Sequence, residues 1–245
     1  MGRKALRKDF YREIRSSLGR FLSIFFIVAI GVAFFSGIRA SEPDMRYSGD
    51  AYFDQKNLMD IEVISTLGLT DDDIEAIEAV EGIEKAEGGY SVDALCSEGE
   101  NQIVVHVMSI LPTMNQVQLE EGRLPESEDE CVVDADYLQT SSWEIGDTVT
   151  FSSGTEDDII DSLKTDTFTI VGTVSSPCYI GFQRGSTTIG TGSVAAFVCV
   201  PEESFSLDVY TEIYAQVDGA KELTAFTSGY DDRIEEVLDN VEAIK

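Results

Sequence analysis

The sequence predicts an α+β fold, with one N-terminal membrane-spanning helix followed by a folded domain outside the membrane. Three observations predict it. Residues 21–38 form an uncharged apolar run, and basic side chains are concentrated in residues 1–20 just before it. From Ser41 onward, short β-branched segments alternate with amphipathic helical segments, which is typical of a sheet covered by helices on one face.

The predicted membrane span is Phe21–Ile38, FLSIFFIVAIGVAFFSGI. As a helix it would be about 27 Å long, close to the ~30 Å thickness of a bilayer's hydrocarbon core. The basic cluster lies before it, so the positive-inside rule places residues 1–20 in the cytoplasm and residues 41–245 outside. A cleaved signal peptide is the alternative, but its apolar region is normally shorter, and Arg39 makes residues 38–40 a poor cleavage site.

Small residues recur every four positions in the span, at Ala29, Ala33 and Gly37. Such a stripe predicts close packing against another membrane helix. Small residues are also common in membrane helices in general, so this pattern alone leaves both interpretations open.

A second four-residue repeat precedes the span, among Lys and Arg side chains: Leu6, Phe10, Ile14 and Leu18. It predicts a basic amphipathic elbow helix lying on the cytoplasmic surface of the membrane, within residues 1–20. A fully solvated helix is the weaker alternative, because its apolar stripe would be exposed to water.

The outer domain begins with a β-α-β-β pattern. Thr70 is the predicted N-cap of the first helix, Asp73 completes a capping box, and Gly82 follows the helix. The strands predicted around it are Asp60–Thr66, Ile83–Cys96 and Gln102–Ile110.

A β-rich region follows, and then a last helix. That helix begins near Gly229, and its apolar residues recur at helical spacing up to Val241. The pattern still runs at Lys245, so we expect the chain to be truncated there. The predicted strands of this region are Glu130–Ala135, Asp147–Phe151, Asp166–Val174, Ser193–Val200 and Glu212–Val217.

The charge distribution excludes some partners. Residues 1–20 carry seven basic and two acidic side chains, a net charge of +5, so the rest of this −29 chain carries −34. Nucleic acid is not an expected partner, because phosphate contacts require Lys and Arg. The acidity indicates a solvated surface. Calcium binding at Asp71–Asp73 or Glu126–Glu130 is the alternative, but neither cluster has the spacing of an EF-hand loop.

No motif predicts catalysis, a cofactor or a metal site. Gly185–Gly192 is glycine-rich but lacks the Gly-Lys-Ser/Thr ending of a phosphate-binding loop, so we expect a flexible outer loop. The single histidine, His106, lies in an apolar run, where a packed core residue is expected. No nucleophile-elbow motif supports a Ser-His-Asp site, although the sequence alone does not exclude one.

The four cysteines, Cys96, Cys131, Cys178 and Cys199, lack the close pairs of a zinc site. Outside the cell they could form disulfides. Cys178 and Cys199 flank one loop and are the favoured pair. The alternative is that all four are small apolar core residues.

Short segments along nearly the whole chain also form an ordered series. They are Leu6–Phe10, Arg20–Ile24, Gly37–Asp44, Asn57–Asp60, Ser65–Thr70, Gly122–Pro125, Ile145–Val149, Phe168–Val174, Ser176–Pro177, Arg184–Thr187, Gly190–Gly192 and Val200–Pro201. No segment is specific alone, but in this order they resemble the N-terminal part of FtsX-like, MacB-type ABC transporter permeases of Gram-positive bacteria.

The resemblance implies a non-catalytic permease segment without a cofactor. Its partners would be a cytoplasmic ABC ATPase subunit, the remaining transmembrane helices of the permease and a second permease half. Movement driven by ATP would reach the outer domain by mechanotransmission, for export or extraction of a lipoprotein, peptide or antimicrobial.

The resemblance also implies a two-lobed MacB-like core domain in residues 41–245. Residues 41–115 and 205–245 would form an α+β porter-like lobe, and residues 116–204 an inserted β-rich lobe. Two other functions stay open from the residues alone: a single-span extracellular sensor or binding protein, and a secreted hydrolase. Further membrane spans downstream would favour the permease.

Overall fold

The apolar segment lies within one long helix, α1 (Leu18–Lys56). The computed structural model describes residues 10–12, 15, 17–99 and 101–244, and in these ranges α1 is the one helix long and apolar enough to cross a membrane. The helix continues well beyond the predicted span. The i,i+4 ion pair between Glu42 and Arg46, 3.1 Å long, supports this extension, and Pro43 is accommodated inside it.

The chain divides into two compact units, Met1–Gly49 and Asp50–Lys245. In the described residues the second unit contains ten strands and three helices beyond α1. The helices are α2 (Asp71–Glu78), α3 (Ala135–Leu138) and α4 (Ser228–Glu242). The strands are β1 (Ile61–Leu69), β2 (Ile83–Gly89), β3 (Ser91–Glu98), β4 (Asn101–Ser109), β5 (Gln118–Gly122), β6 (Glu130–Asp134), β7 (Thr148–Ser152), β8 (Thr167–Ser175), β9 (Val194–Val200) and β10 (Tyr210–Val217).

A three-stranded antiparallel sheet in the order β1-β10-β2, with α2 and α4, forms what we call the small lobe. One face of the sheet packs on the helices: Ile213 and Ala215 of β10 share a buried cluster with Ile77 of α2 and Val237 of α4. The predicted start of α2 is confirmed. The Asp73 carboxylate accepts hydrogen bonds from the Thr70 N–H (2.7 Å) and hydroxyl (2.8 Å), which lowers the pKa of Asp73.

The other seven strands form a sheet in the order β5-β8-β6-β9-β4-β3-β7. Because β7 also pairs with β8, through Thr148–Thr150 and Thr167–Thr169, six of the strands close into a ring, which we call the barrel. β5 pairs with the other end of β8. Alternate residues point into the closed ring, and its interior is filled by apolar side chains that include Phe151, Phe168 and the buried Trp143.

The lobe boundary differs from the expected one. Residues 41–115 were expected in the first lobe, but β3 and β4 belong to the barrel sheet, so the chain leaves the small lobe at Tyr90 and not at residue 115. Tyr90 stacks on Phe205 (ring centroids 5.2 Å apart) and contacts Tyr210 (5.0 Å) at the point where the chain returns. Ile83–Cys96, predicted as one strand, is therefore two strands in two sheets.

Candidate functional site

The first candidate site is the junction where α1 ends and the small lobe begins. We call it the helix-end junction (Asp50–Asp60, Thr113–Gln116 and Ala220–Tyr230). The Leu58 N–H donates to the Phe53 carbonyl (3.0 Å) and the Asn57 N–H to the Asp54 carbonyl (3.2 Å). This is the Schellman pattern, and Asn57 has the left-handed φ of 51° that it requires.

Asn57 also connects the helix end to two other segments. Its side-chain amide donates to the Thr113 carbonyl (2.9 Å), and its side-chain oxygen accepts from the Lys221 ammonium (2.8 Å). The Asn115 N–H donates to the Asn57 carbonyl at 2.9 Å, and the Gln116 N–H donates to the Lys56 carbonyl at 2.8 Å. The carbonyls of Lys56 and Asn57, at the end of α1, are thus satisfied by backbone N–H groups of the segment between β4 and β5.

Two carboxylates tie the same region to the end of β10 and to α4. Asp60 accepts from the Val217 N–H (2.8 Å) and from the Tyr230 hydroxyl (2.6 Å). Burial and this bond to Asp60 both raise the pKa of Tyr230. Asp50, one turn before Asp54, accepts from the Ala225 N–H at 2.6 Å.

Apolar contact and charge complete the helix-end junction. The Phe53 and Phe226 rings lie 5.8 Å apart, within the range of aromatic pairs. Burial and the neighbouring Asp50 carboxylate raise the pKa of Asp54, whereas Lys221 lowers it. Backbone, ionic and aromatic contacts therefore all hold the last turns of α1 to the small lobe.

The second candidate site is a cavity of about 260 Å³ between the small lobe and the barrel, which we call the interlobe cleft. Glu62 of β1 and Glu212 of β10 line it from the small lobe, and Asp93 and His106 from the barrel. The His106 Nδ1 lies 2.7 Å from the Asp93 carboxylate. Burial alone would raise the pKa of Asp93, but hydrogen bonds from His106 and Thr187 outweigh it and lower that pKa.

Beside the interlobe cleft lies a buried ion pair. The Arg184 side chain is 5% exposed and donates to both carboxylate oxygens of Asp134, at 2.5 and 3.1 Å, and to Asp136 at 3.1 Å. Its guanidinium also lies over the rings of Tyr179 and Phe197, 5.9 and 5.7 Å from the centroids. Such a buried, bidentate arginine fixes the position of the loop that follows β8.

Most of the site residues predicted from the sequence lie elsewhere. Ala29, Ala33 and Gly37 are on α1, where a side chain built at Gly37 would meet nothing within 4 Å. Phe10 and Leu18 are helical and exposed, while Leu6 and Ile14 lie outside the described residues. Helix packing and the elbow helix stay predictions.

The cysteines and the histidine can be placed more exactly. All four cysteines are free thiols, so the predicted Cys178–Cys199 bridge is not formed in this structure. Cys199 is fully buried in a cluster with Val132 and Phe197, and burial raises its pKa, as it raises that of Cys178 to about 11. The expectation that His106 is a packed core residue is wrong, because it borders the interlobe cleft with its side chain 21% exposed.

Sequence reasoning assigned no site role to the residues of the helix-end junction, and of those that line the interlobe cleft it singled out His106 and Cys178, for other roles. Asn57 and Asp60 were noticed only as part of an ordered motif, and an Asn just past a helical pattern could have indicated the helix end. Glu62 and Glu212 gave no signal, because only strand pairing brings them together. No group of three His, Cys, Asp or Glu side chains among the described residues is arranged to hold a metal ion.

A comparison with known proteins identifies a family whose model matches most of this chain. Residues 18–229 match the family model of the MacB-like periplasmic core domain. No curated protein matches. One similar solved structure is the extracellular domain of the noncanonic ABC-type transporter YknZ from Gram-positive bacteria, with 11% identity, a TM-score of 0.40, and coverage of 72% of this chain and 86% of that one.

Two further solved structures are similar. The periplasmic region of MacB from Actinobacillus actinomycetemcomitans is 12% identical, with a TM-score of 0.37 and coverage of 74% of this chain and 76% of that one. A domain of a putative permease protein from Porphyromonas gingivalis is 13% identical, with a TM-score of 0.33 and coverage of 74% and 78%.

Proposed function

The chain belongs to the MacB-like periplasmic core domain family, and from this premise we propose that it couples a membrane helix to a moving extracytoplasmic domain in an ABC transporter permease. A separate cytoplasmic ABC ATPase supplies the energy by hydrolysing ATP. This segment carries out no covalent chemistry. The cargo that the permease exports or extracts is a lipoprotein, peptide or antimicrobial.

One observation carries this proposal: α1 is a single helix that contains the apolar segment and also ends in the helix-end junction. A helix is stiff compared with a loop, even though Pro43 of α1 donates no backbone hydrogen bond, so displacement at one end is passed to the other. The contacts of Asp60 and Asp50 then pass it to the small lobe, and the contact of Asn57 passes it to the segment between β4 and β5.

The proposed arrangement puts residues 1–20 in the cytoplasm, 21–38 in the membrane and 41–245 outside. The seven basic side chains before the span support this orientation. The elbow residues Leu6, Phe10, Ile14 and Leu18 lie on the inner membrane surface. The stripe of Ala29, Ala33 and Gly37 packs against another helix of the permease or of a second permease half.

Hydrogen exchange tests the coupling without a known cargo. The full-length permease is reconstituted in nanodiscs with its ATPase, and exchange is compared with and without ATP, magnesium and vanadate. We expect exchange in the helix-end junction to change on nucleotide trapping, because movement of α1 strains the hydrogen bonds made there. Peptides from the centre of β9, buried in the barrel, provide the internal reference.

A matched pair of variants shows whether α1 carries the movement. Met45, Tyr47 and Ser48 are exposed on α1, and replacing all three with glycine weakens the helix by about 1 kcal/mol per residue relative to alanine. The triple-alanine variant should keep the nucleotide response, and the triple-glycine variant should lose most of it. Equal responses in the two variants, or none in the unaltered permease, would contradict the proposal.

A further inference from the structure

The segment between β4 and β5 belongs to the chain of the barrel sheet and shares residues 113–116 with the helix-end junction. We call residues 110–117 the β4–β5 segment. The two strands that it joins both lie in the seven-stranded sheet. Its two ends, Ile110 and Val117, pack against a buried cluster on that sheet that includes Val132 and Phe197. A displacement of this segment therefore acts on the barrel without passing through the small lobe.

The middle of the β4–β5 segment is hydrogen-bonded to the end of α1. The backbone bonds described above join Asn115 to Asn57 and Gln116 to Lys56. The Asn115 side-chain oxygen accepts a further hydrogen bond from the Met59 N–H at 2.9 Å. Asn115 has a left-handed φ of 47°, which asparagine adopts more readily than other residues with a β-carbon. These three hydrogen bonds hold the end of α1 to a segment of the barrel's chain.

A carboxylate of the small lobe holds the same segment in place. Glu87 of β2 accepts hydrogen bonds from the Thr113 hydroxyl and from the Met114 N–H, both at 2.8 Å. The Lys85 ammonium donates to the same hydroxyl at 2.5 Å. Met114 is fully buried. Glu87 thus fixes the two residues that immediately precede Asn115, the residue that contacts the helix end.

Different residues join the end of α1 to the small lobe. Asp60 accepts from the Tyr230 hydroxyl of α4, and Asp50 accepts from the N–H of Ala225, three residues before α4. Hydrogen bonds therefore leave residues 50–60 towards two parts of the domain. One set leads to α4, and the other leads to the β4–β5 segment.

We infer that α1 moves the barrel directly, through the β4–β5 segment, and that Glu87 is the positioning residue of this connection. Movement of α1 reaches the small lobe and the barrel in parallel and not one after the other. Glu87 acts through Thr113 and Met114, which keep Asn115 against the helix end. The inference rests on the proposed function and adds which parts of the domain the helix moves.

Hydrogen exchange without nucleotide tests the role of Glu87 in the full-length permease in nanodiscs. Glu87→Ala removes an ionised hydrogen-bond acceptor, a loss that typically changes an equilibrium about tenfold. Exchange in peptides that cover residues 113–117 should therefore become about tenfold faster, while exchange in α4 stays unchanged. Glu84→Ala, the same substitution at an exposed position of β2, should leave both unaltered. Glu87→Gln, whose amide oxygen still accepts a hydrogen bond, should restore most of the protection.

Two further variants weaken the two connections one at a time. Asn115→Gly accepts the left-handed φ and loses the bond from Met59, whereas Tyr230→Phe keeps the ring and loses the bond to Asp60. The change in exchange on trapping with ATP, magnesium and vanadate is measured in residues 110–122 and in α4. Asn115→Gly should lose most of the change in residues 110–122 and keep that in α4, and Tyr230→Phe should do the opposite. A variant that only destabilised the domain would alter both regions alike.

A nucleotide response in α4 with none in residues 110–122 of the unaltered permease overturns this inference and leaves the proposed function standing. The inference is also wrong if Asn115→Gly keeps the full response in residues 110–122, or if Glu87→Ala exchanges there no faster than Glu84→Ala. A response in neither region contradicts the proposed function, and the inference falls with it. Opposite losses in Asn115→Gly and Tyr230→Phe support two parallel connections.

Discussion

Asn57 combines two requirements that few other side chains satisfy together. It adopts a left-handed φ of 51°, and its side chain makes hydrogen bonds with Thr113 and Lys221. Asparagine tolerates this backbone conformation better than other residues with a β-carbon. The end of α1 therefore depends on one residue for both its backbone geometry and its attachment.

Two substitutions at Asn57 separate these contributions. Asn57→Gly loses the side-chain hydrogen bonds but accepts the positive φ, and should lower the free energy of unfolding by about 1–2 kcal/mol. Asn57→Ala loses the same bonds and adds the cost of the left-handed conformation, about 1–2 kcal/mol. Denaturant unfolding of the full chain in detergent, followed by near-ultraviolet circular dichroism, measures both. A glycine variant less stable than the alanine variant would contradict this account.

Predictions for single residues succeed where the signal lies in neighbouring residues and fail where it depends on a distant part of the chain. Thr70 and Asp73 were predicted as a helix cap because the signal lies within four residues, and their hydrogen bonds confirm it. The place of His106 was predicted wrongly because its partner, Asp93, faces it across a strand pair. A sequence pattern shows that His106 lies in a strand but not which face of that strand borders a cavity.

At the scale of elements, the strands were largely predictable and their pairing was not. β6, β7, β8 and β9 lie within a residue or two of their predicted ranges, because β-branched runs between turn residues are a local signal. β5, fully exposed and bearing two adjacent glutamates, has no such signal and was missed. The closure of the barrel depends on β7 meeting both β3 and β8, which no local pattern specifies.

Exposed and buried side chains alternate along β7, so a substitution at a buried position can be compared with one at the exposed position next to it. Phe151 is 1% exposed and its ring lies 5.4 Å from that of Phe168, whereas Thr150 next to it faces solvent. Phe151→Ala should lower the free energy of unfolding by about 3–5 kcal/mol, because it leaves a cavity in the core. Thr150→Ala should change it by less than about 1 kcal/mol.

The protein's single tryptophan reports this change. Trp143 is buried in the same cluster as Phe151, so its fluorescence in urea follows unfolding of the barrel. If Phe151→Ala and Thr150→Ala shift the urea midpoint equally, the side chain of Phe151 does not face the interior of the barrel, and the proposed closure by β7 is wrong.

At the scale of the whole molecule, the sequence predicted a spanning helix and an α+β outer domain but not the position of the boundary between the lobes. The chain crosses between them at Tyr90 and returns near Tyr210, and both crossings share one aromatic cluster with Phe205. Strands consecutive in sequence, β2 and β3, belong to different sheets. Contacts between residues far apart in the chain decide this arrangement, and they have no periodic signature.

The net charge of −29 makes the stability of the whole molecule depend on pH and salt. Burial, and then neighbouring carboxylates, raise the pKa values of Glu62, Asp54 and Glu202 above 4.5, 3.8 and 4.5. The folded state binds these protons more tightly than the unfolded state does. Their contribution to stability is therefore complete below those values and is lost as the pH rises through the raised ones.

We therefore expect the thermal midpoint of the full chain to rise as the pH falls from about 7 to about 5. Asp93 does not oppose this change, because its pKa is lowered and it stays charged in that window. Raising the salt concentration from about 0.01 M to about 0.1 M shortens the Debye length from roughly 30 Å to 10 Å. This should raise the thermal midpoint more at the higher pH, because more carboxylates are charged and repel one another there. A midpoint that falls on acidification, or a larger salt effect at the lower pH, would show that repulsion between carboxylates does not limit the stability of this domain.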